Sequence, residues 1–110
     1  MLTLMLWEYA KRQDPTICRR LEEPVIGNPP GVYDEGKLIS ADLSNSILEF
    51  ISTTEGLPAI KNDSMIVTEL GGGYGRTAFV FLNLNPRIKY IMVDLPLSLW
   101  TAQNYLSQVF

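Results

Sequence analysis

Two carboxylates, Glu69 and Asp94, bracket the glycine-rich stretch Gly71-Gly72-Gly73-Tyr74-Gly75-Arg76. Glycine lets a backbone turn tightly and lets a ligand come close to the main chain, and a helix beginning just beyond offers free N–H groups. So dense a run of glycine costs conformational entropy that a plain turn does not require. An acid about 20 residues past such a loop, at the tip of the next parallel strand, is placed to grip the ribose of a nucleoside. The pattern points to a nucleoside-containing cofactor, contacted by Glu69, Gly71, Gly72, Gly73, Tyr74, Gly75, Asp94 and Leu95.

The charge of that cofactor follows from Glu69. A dinucleotide would set its pyrophosphate at the helix start, beside the Glu69 carboxylate, which is unfavourable. An aminoacyl nucleoside fits better, because its ammonium can meet the carboxylate while its own carboxylate meets backbone N–H groups. S-adenosylmethionine is such a molecule, and Glu69-x-Gly71-x-Gly73-x-Gly75 is the acid-x-G-x-G-x-G form. The dinucleotide form G-x-G-x-x-G fails from Gly71, whose last position is Arg76. It survives as G-x-G-x-x-A at Gly73, Gly75 and Ala78, and Arg76 is able to pair with a phosphate. A nucleotide-dependent oxidoreductase using NAD(P) or FAD therefore stays open as the alternative, as does a non-catalytic interaction domain.

The elements that must carry this loop are readable around it. Residues 65–70 form a β-rich run, 77–84 an apolar helix stopped near Asn85-Pro86, 89–93 a second β-rich run ending on Asp94, and 97–109 another helix. The two strands are expected to lie parallel, joined by a right-handed crossover. Upstream, Leu2, Met5, Leu6 and Tyr9 recur at helical spacing within 1–12, and Asp14-Pro15 marks a turn. A short helix follows over 16–23, then a proline-rich loop to Gly31, with 32–37 irregular or briefly extended. Ser40 caps a helix over 40–54, with Asp42 in its first turn and Leu43, Ile47, Phe50 and Ile51 on its inward face. Gly56 and Pro58 end it, and 59–64 reads as a polar connector. Glu22 and Glu23, beside prolines, read as solvated acids. Arg76 is placed to pair with Glu69 or Asp94, Tyr74 to pack over the cofactor, and Trp7 and Trp100 read as core or packing residues.

The words around the loop carry a resemblance. Glu69 to Ala78, then Tyr90-Ile91-Met92-Val93-Asp94-Leu95-Pro96 and Ala102-Gln103-Asn104-Tyr105-Leu106, are similar to the sugar O-methyltransferase family of class I S-adenosylmethionine-dependent enzymes. The upstream words Glu23-Pro24-Val25-Ile26-Gly27-Asn28-Pro29 and Leu38 to Ser46 extend the similarity from about Glu22 to the end of the chain. The resemblance implies an α/β fold, with an N-terminal helical segment (1–64, a cap or substrate-side region) followed by the first βαβα of a Rossmann-like methyltransferase sheet (65–110). It also implies O-methylation of a sugar as the reaction, and a sugar or glycan hydroxyl as acceptor. The family sheet has further strands, so the chain reads as an N-terminal fragment, inactive by itself.

Composition excludes other classes. At 46% apolar residues the chain is globular rather than disordered, and 110 residues suffice for one small domain. The net charge is −3, and no basic block exists beyond Arg19-Arg20, so nucleic acid is not an expected partner. The apolar start, Met1 to Trp7, is too short to span a membrane and lacks a preceding positive charge. Cys18 is alone, which rules out an intrachain disulfide and makes a reducing, cytoplasmic setting the expectation. No His/Cys/Asp cluster has metal-ligand spacing. With no histidine, the commonest general base is missing, and any activating base is expected beyond residue 110.

Overall fold

Proline and its partners punctuate the N-terminal region. In the computed structural model, which describes all residues from Met1 to Phe110, helix α1 (Leu2–Gln13) runs into Asp14. The Asp14 side chain accepts hydrogen bonds from the N–H groups of Thr16 and Ile17, and Pro15 takes the first position of α2 (Pro15–Arg20). The Asp-Pro pair therefore restarts a helix at once, since proline has no N–H to lose there and aspartate is a strong cap. Helix α1 turns Trp7 and Ala10 inward and leaves Leu2, Met5 and Tyr9 exposed. The stripe that the helical spacing marks, with Leu2, Met5 and Tyr9, is therefore the outer one. The inner one is fixed by Trp7, whose indole N–H donates to Asp34 at 2.9 Å, and by Ala10, which is fully buried.

Residues 32–39 form a small antiparallel hairpin, β1 (Val32–Asp34) and β2 (Lys37–Ile39). Glu35 and Gly36 both take positive φ, 50° and 79°, as a two-residue hairpin loop with the right-handed twist of its strands requires. Helix α3 (Ala41–Gly56) follows, and Ser40 Oγ accepts from the Leu43 N–H at 2.9 Å as its cap. Its buried face contains Leu43, Ile47 and Phe50.

A single 3-10 turn, Pro58–Lys61, leads to β3 (Met65–Leu70). The expected polar connector is in part core: Ile60 is buried there, and Asn85 donates to the Ile60 and Asp63 carbonyls at 2.8 and 3.0 Å. Helix α4 (Arg76–Leu84) connects β3 to β4 (Ile88–Val93), and the two strands pair in parallel with Met65 opposite Ile88 and Leu70 opposite Val93. Helix α5 (Pro96–Val109) completes the chain. One apolar cluster joins Trp7, Ile17, Leu43, Phe50, Phe79, Phe81 and Tyr105, so the N-terminal helices and the glycine-loop unit share a core. Phe50 and Phe81 meet edge-on at 5.0 Å between ring centroids, tying α3 to α4. No helix is long and apolar enough to cross a membrane.

The parallel pair is covered on one face only. Met65, Val67, Tyr90 and Met92 are partly buried, while Ile66, Leu70, Ile91 and Val93 are exposed, Leu70 by 86%. Parallel strands normally have both faces covered, and this pair also presents unpaired edges. The protein is therefore expected to self-associate at concentrations of about 0.1 mM. An Ile66→Glu, Ile91→Thr variant, which sets a carboxylate opposite Lys89, is expected to reduce that association. Sedimentation velocity across a concentration series checks this, and a wild-type chain that stays monomeric throughout contradicts it.

Candidate functional site

The glycine loop leaves the C-terminal end of β3 and enters the N-terminus of α4. Gly71, Gly73 and Gly75 have φ of 78°, 57° and 101°, a region that residues with a Cβ rarely adopt. At Gly75 the need is double, because an added Cβ would lie 3.1 Å from Leu106 of α5. Above Gly71 and Gly73 the space is open: an added Cβ at either meets nothing within 4 Å.

The two carboxylates stand at the ends of adjacent parallel strands, on either side of this loop. Glu69 accepts from the Tyr90 hydroxyl at 2.9 Å through Oε2. Burial and this hydrogen bond push the Tyr90 hydroxyl pKa up, so it stays protonated and serves as a donor. Asp94 turns back onto the loop, and its Oδ2 accepts from the Gly73 N–H at 2.9 Å while Oδ1 accepts from the Leu95 N–H at 2.7 Å. Asp94 is thus a brace for the loop as well as a half-exposed carboxylate with lone pairs to spare. The Gly71 N–H is also spent, on the Val93 carbonyl at 2.8 Å. Gly72 and Tyr74 keep their N–H groups free of protein partners. Leu95 is exposed at the start of α5.

Three placements differ from the sequence reading. Arg76 meets neither Glu69 nor Asp94. It lies buried against Glu23, with side-chain exposures of 7% and 0%, and also contacts Ser40 Oγ and the Tyr74 hydroxyl. Glu23, expected to be solvated, is the partner, and its N–H donates to the Leu38 carbonyl of β2 at 2.9 Å, which holds it against that strand. Burial pushes the Glu23 carboxyl above its ordinary pKa, and the Ser40 hydrogen bond and the Arg76 charge pull it back only in part. Tyr74 follows Arg76. Its ring packs edge-on against Tyr105 at 5.4 Å, so it lines a cleft against α5.

No family model, curated protein or solved structure matches this chain. The chemistry of the site therefore rests on its own residues. The loop offers open space above Gly71 and Gly73, two free N–H groups and a carboxylate on each side, with Glu69 and Met92 close over Gly72, which suits a ligand with both a cationic and an anionic end and a pair of hydroxyls. Trp100 is 63% exposed on α5 and so no core residue, whereas Trp7 is buried. Cys18 is buried, its thiol pushed up to about 11 by desolvation, and is inert at neutral pH.

Proposed function

We propose that the chain binds S-adenosylmethionine at the 71–75 loop, in the service of methyl transfer to a sugar hydroxyl. The observation that carries this reading is the placement of Glu69 and Asp94 at the ends of two paired parallel strands, flanking a loop with open space above Gly71 and Gly73. The order β3–α4–β4–α5, with its two strands parallel, supports a reading as the opening of a Rossmann-like methyltransferase sheet. Glu69, with Oε1 free of protein partners, would hold the ammonium. The Gly72 and Tyr74 N–H groups would take the carboxylate, and Asp94 would accept from the ribose hydroxyls. Once bound, the cofactor supplies an electrophilic methyl group on a sulfonium. The chain's own contribution is to fix it for in-line attack. The sugar acceptor comes from the resemblance of the flanking sequence words.

The nucleotide-redox alternative loses its phosphate partner. Arg76, the cation nearest the loop in sequence, is buried against Glu23 and its charge is met there. A pyrophosphate at the loop would face Glu69 instead. Calorimetry is expected to show S-adenosylhomocysteine or S-adenosylmethionine binding more tightly than NAD. Tight NAD binding with no response to either adenosyl ligand would sink the methyltransferase reading.

A further inference from the structure

Tyr74 is the only residue from Gly71 to Gly75 that has a side chain, so it is the one handle, other than backbone, by which the rest of the protein can hold the loop. That handle is held. The Tyr74 hydroxyl accepts from an Arg76 Nη2 N–H, and the same guanidinium is seated on Glu23. We propose that Glu23 is a positioning residue for the glycine loop: through Arg76 it fixes Tyr74, and so makes the ordered form of the loop conditional on the N-terminal region being in place.

The geometry makes Glu23 a hub. Its Oε2 accepts from the hydroxyl of Ser40, the cap of α3, and from Arg76, the first residue of α4. Its own N–H is fixed to the Leu38 carbonyl of β2. One residue thus joins β2, the start of α3 and the start of α4, where the glycine loop ends. The arrangement is costly. Glu23 Oε1 and Arg76 Nε are buried without a hydrogen-bond partner, and a buried ion pair seldom stabilises a fold more than apolar groups of similar volume do. What such a pair can contribute is a single geometry, because a buried guanidinium that must face one carboxylate has few other directions open to it. The loop needs that contribution. Gly71, Gly73 and Gly75 all take positive φ, and glycine leaves such turns easily. Asp94 holds the Gly73 N–H from one side, and Arg76 holds Tyr74 from the other. Without Glu23 the guanidinium has no anion beside it, turns toward water, and gives up its contact with the Tyr74 hydroxyl. As a statement about loop order the inference is independent of any ligand; as positioning for a cofactor it rests on the reading above.

The test is amide hydrogen exchange, read by nuclear magnetic resonance on the full chain, in wild type, Glu23→Gln, Tyr74→Phe and the double variant. Glutamine keeps the shape of Glu23 and an acceptor for Ser40 but not the charge that seats Arg76. Phenylalanine keeps the Tyr74 ring and loses the hydroxyl alone. The readouts are the Gly73 and Gly75 N–H groups, bonded to Asp94 and to the Gly72 carbonyl, against those of Leu57 and Asn85 at the far ends of α3 and α4. Each single variant is expected to speed Gly73 and Gly75 exchange about tenfold, while Leu57 and Asn85 change less than about threefold. Both act through one relay, so the double variant should exchange about as fast as the faster single one. Glu23→Leu, Arg76→Met removes both charges and should loosen the loop in the same way while the helix ends stay protected, which separates loss of positioning from loss of stability; it also replaces Glu23→Gln should that variant not fold. Loop amides unmoved in either single variant, all four amides accelerated alike, or effects that multiply in the double variant would overturn the assignment. Calorimetry with S-adenosylhomocysteine on the same proteins should show affinity falling as loop order falls. A chain that ignores adenosyl ligands yet shows the coupled exchange keeps the positioning role and loses the methyltransferase reading. One that binds S-adenosylhomocysteine equally in every variant keeps that reading and loses the positioning role.

Discussion

Arg76→Met is expected to destabilise the folded chain by about 3–5 kcal/mol at neutral pH, because it strands the Glu23 carboxylate without its cation in a site from which water is excluded. That loss is a large share of the about 5–15 kcal/mol that holds a typical domain together. The double variant Glu23→Leu, Arg76→Met removes both charges and is expected to recover most of it, since a buried pair is seldom more stabilising than apolar groups of similar volume. Urea denaturation followed by circular dichroism measures both. The effect carries a pH signature. Glu23 is held above its ordinary value of 4.5 in the folded protein, chiefly by burial, so the native state binds that proton more tightly than the unfolded chain does. The stabilisation this contributes is complete below the ordinary value and is lost as pH rises through the folded one. Without Arg76 the folded value moves higher still, so the Arg76→Met protein is expected to lose stability with rising pH over a wider window than wild type. A single variant as stable as wild type at pH 7, or a double variant worse than the single, contradicts this account.

Arg76 and Glu23 also show why part of the site is illegible in the sequence. The local signals are strong and the structure follows them: Ser40 caps α3, Pro86 follows the end of α4, and Asp94 closes β4 beside the glycine loop. Each of those features is decided within a few residues. The hairpin of β1 and β2 has its signal in Glu35-Gly36, but its strands are three residues long, too short for alternation to declare itself. Glu23 carries no local mark. It lies among prolines, where acids are usually solvated, and its partner is 53 positions away in sequence. Its burial goes with the hydrogen bond from its own N–H to the Leu38 carbonyl of β2, a contact that only the fold creates. Tyr74 is legible as a loop residue but not in its direction, which is set by the Arg76 guanidinium and the Tyr105 ring. Helix α1 shows the same limit: its period is plain, yet the face that turns inward is the one with Trp7, which Asp34 of the hairpin receives.

If the chain binds S-adenosylmethionine as proposed, Asp94→Ala is expected to weaken binding of S-adenosylhomocysteine by about tenfold or more, through two routes that reinforce each other. The first is direct. A carboxylate accepting ribose hydroxyls makes charge-assisted hydrogen bonds, each about 1.5–3 kcal/mol. The second acts through the loop, because Asp94 Oδ2 holds the Gly73 N–H at 2.9 Å and with it the positive φ of 57° at that residue. Without that brace the loop samples other turns, and its bound geometry must be restored from a broader ensemble. Asp94→Asn separates the two. Its amide oxygen can still accept from Gly73, while the charge and one acceptor are lost, so its affinity should fall between wild type and Asp94→Ala. Gly73→Ala tests the loop alone: the carboxylate remains, but a Cβ at this φ costs about 1–2 kcal/mol. Calorimetry on the three variants, each shown to be folded by near-ultraviolet circular dichroism, gives the order. Unchanged affinity in a folded Asp94→Ala protein would leave Asp94 as a brace for the loop and nothing more, and the ribose would then have to be held by a residue other than the acid at the tip of β4.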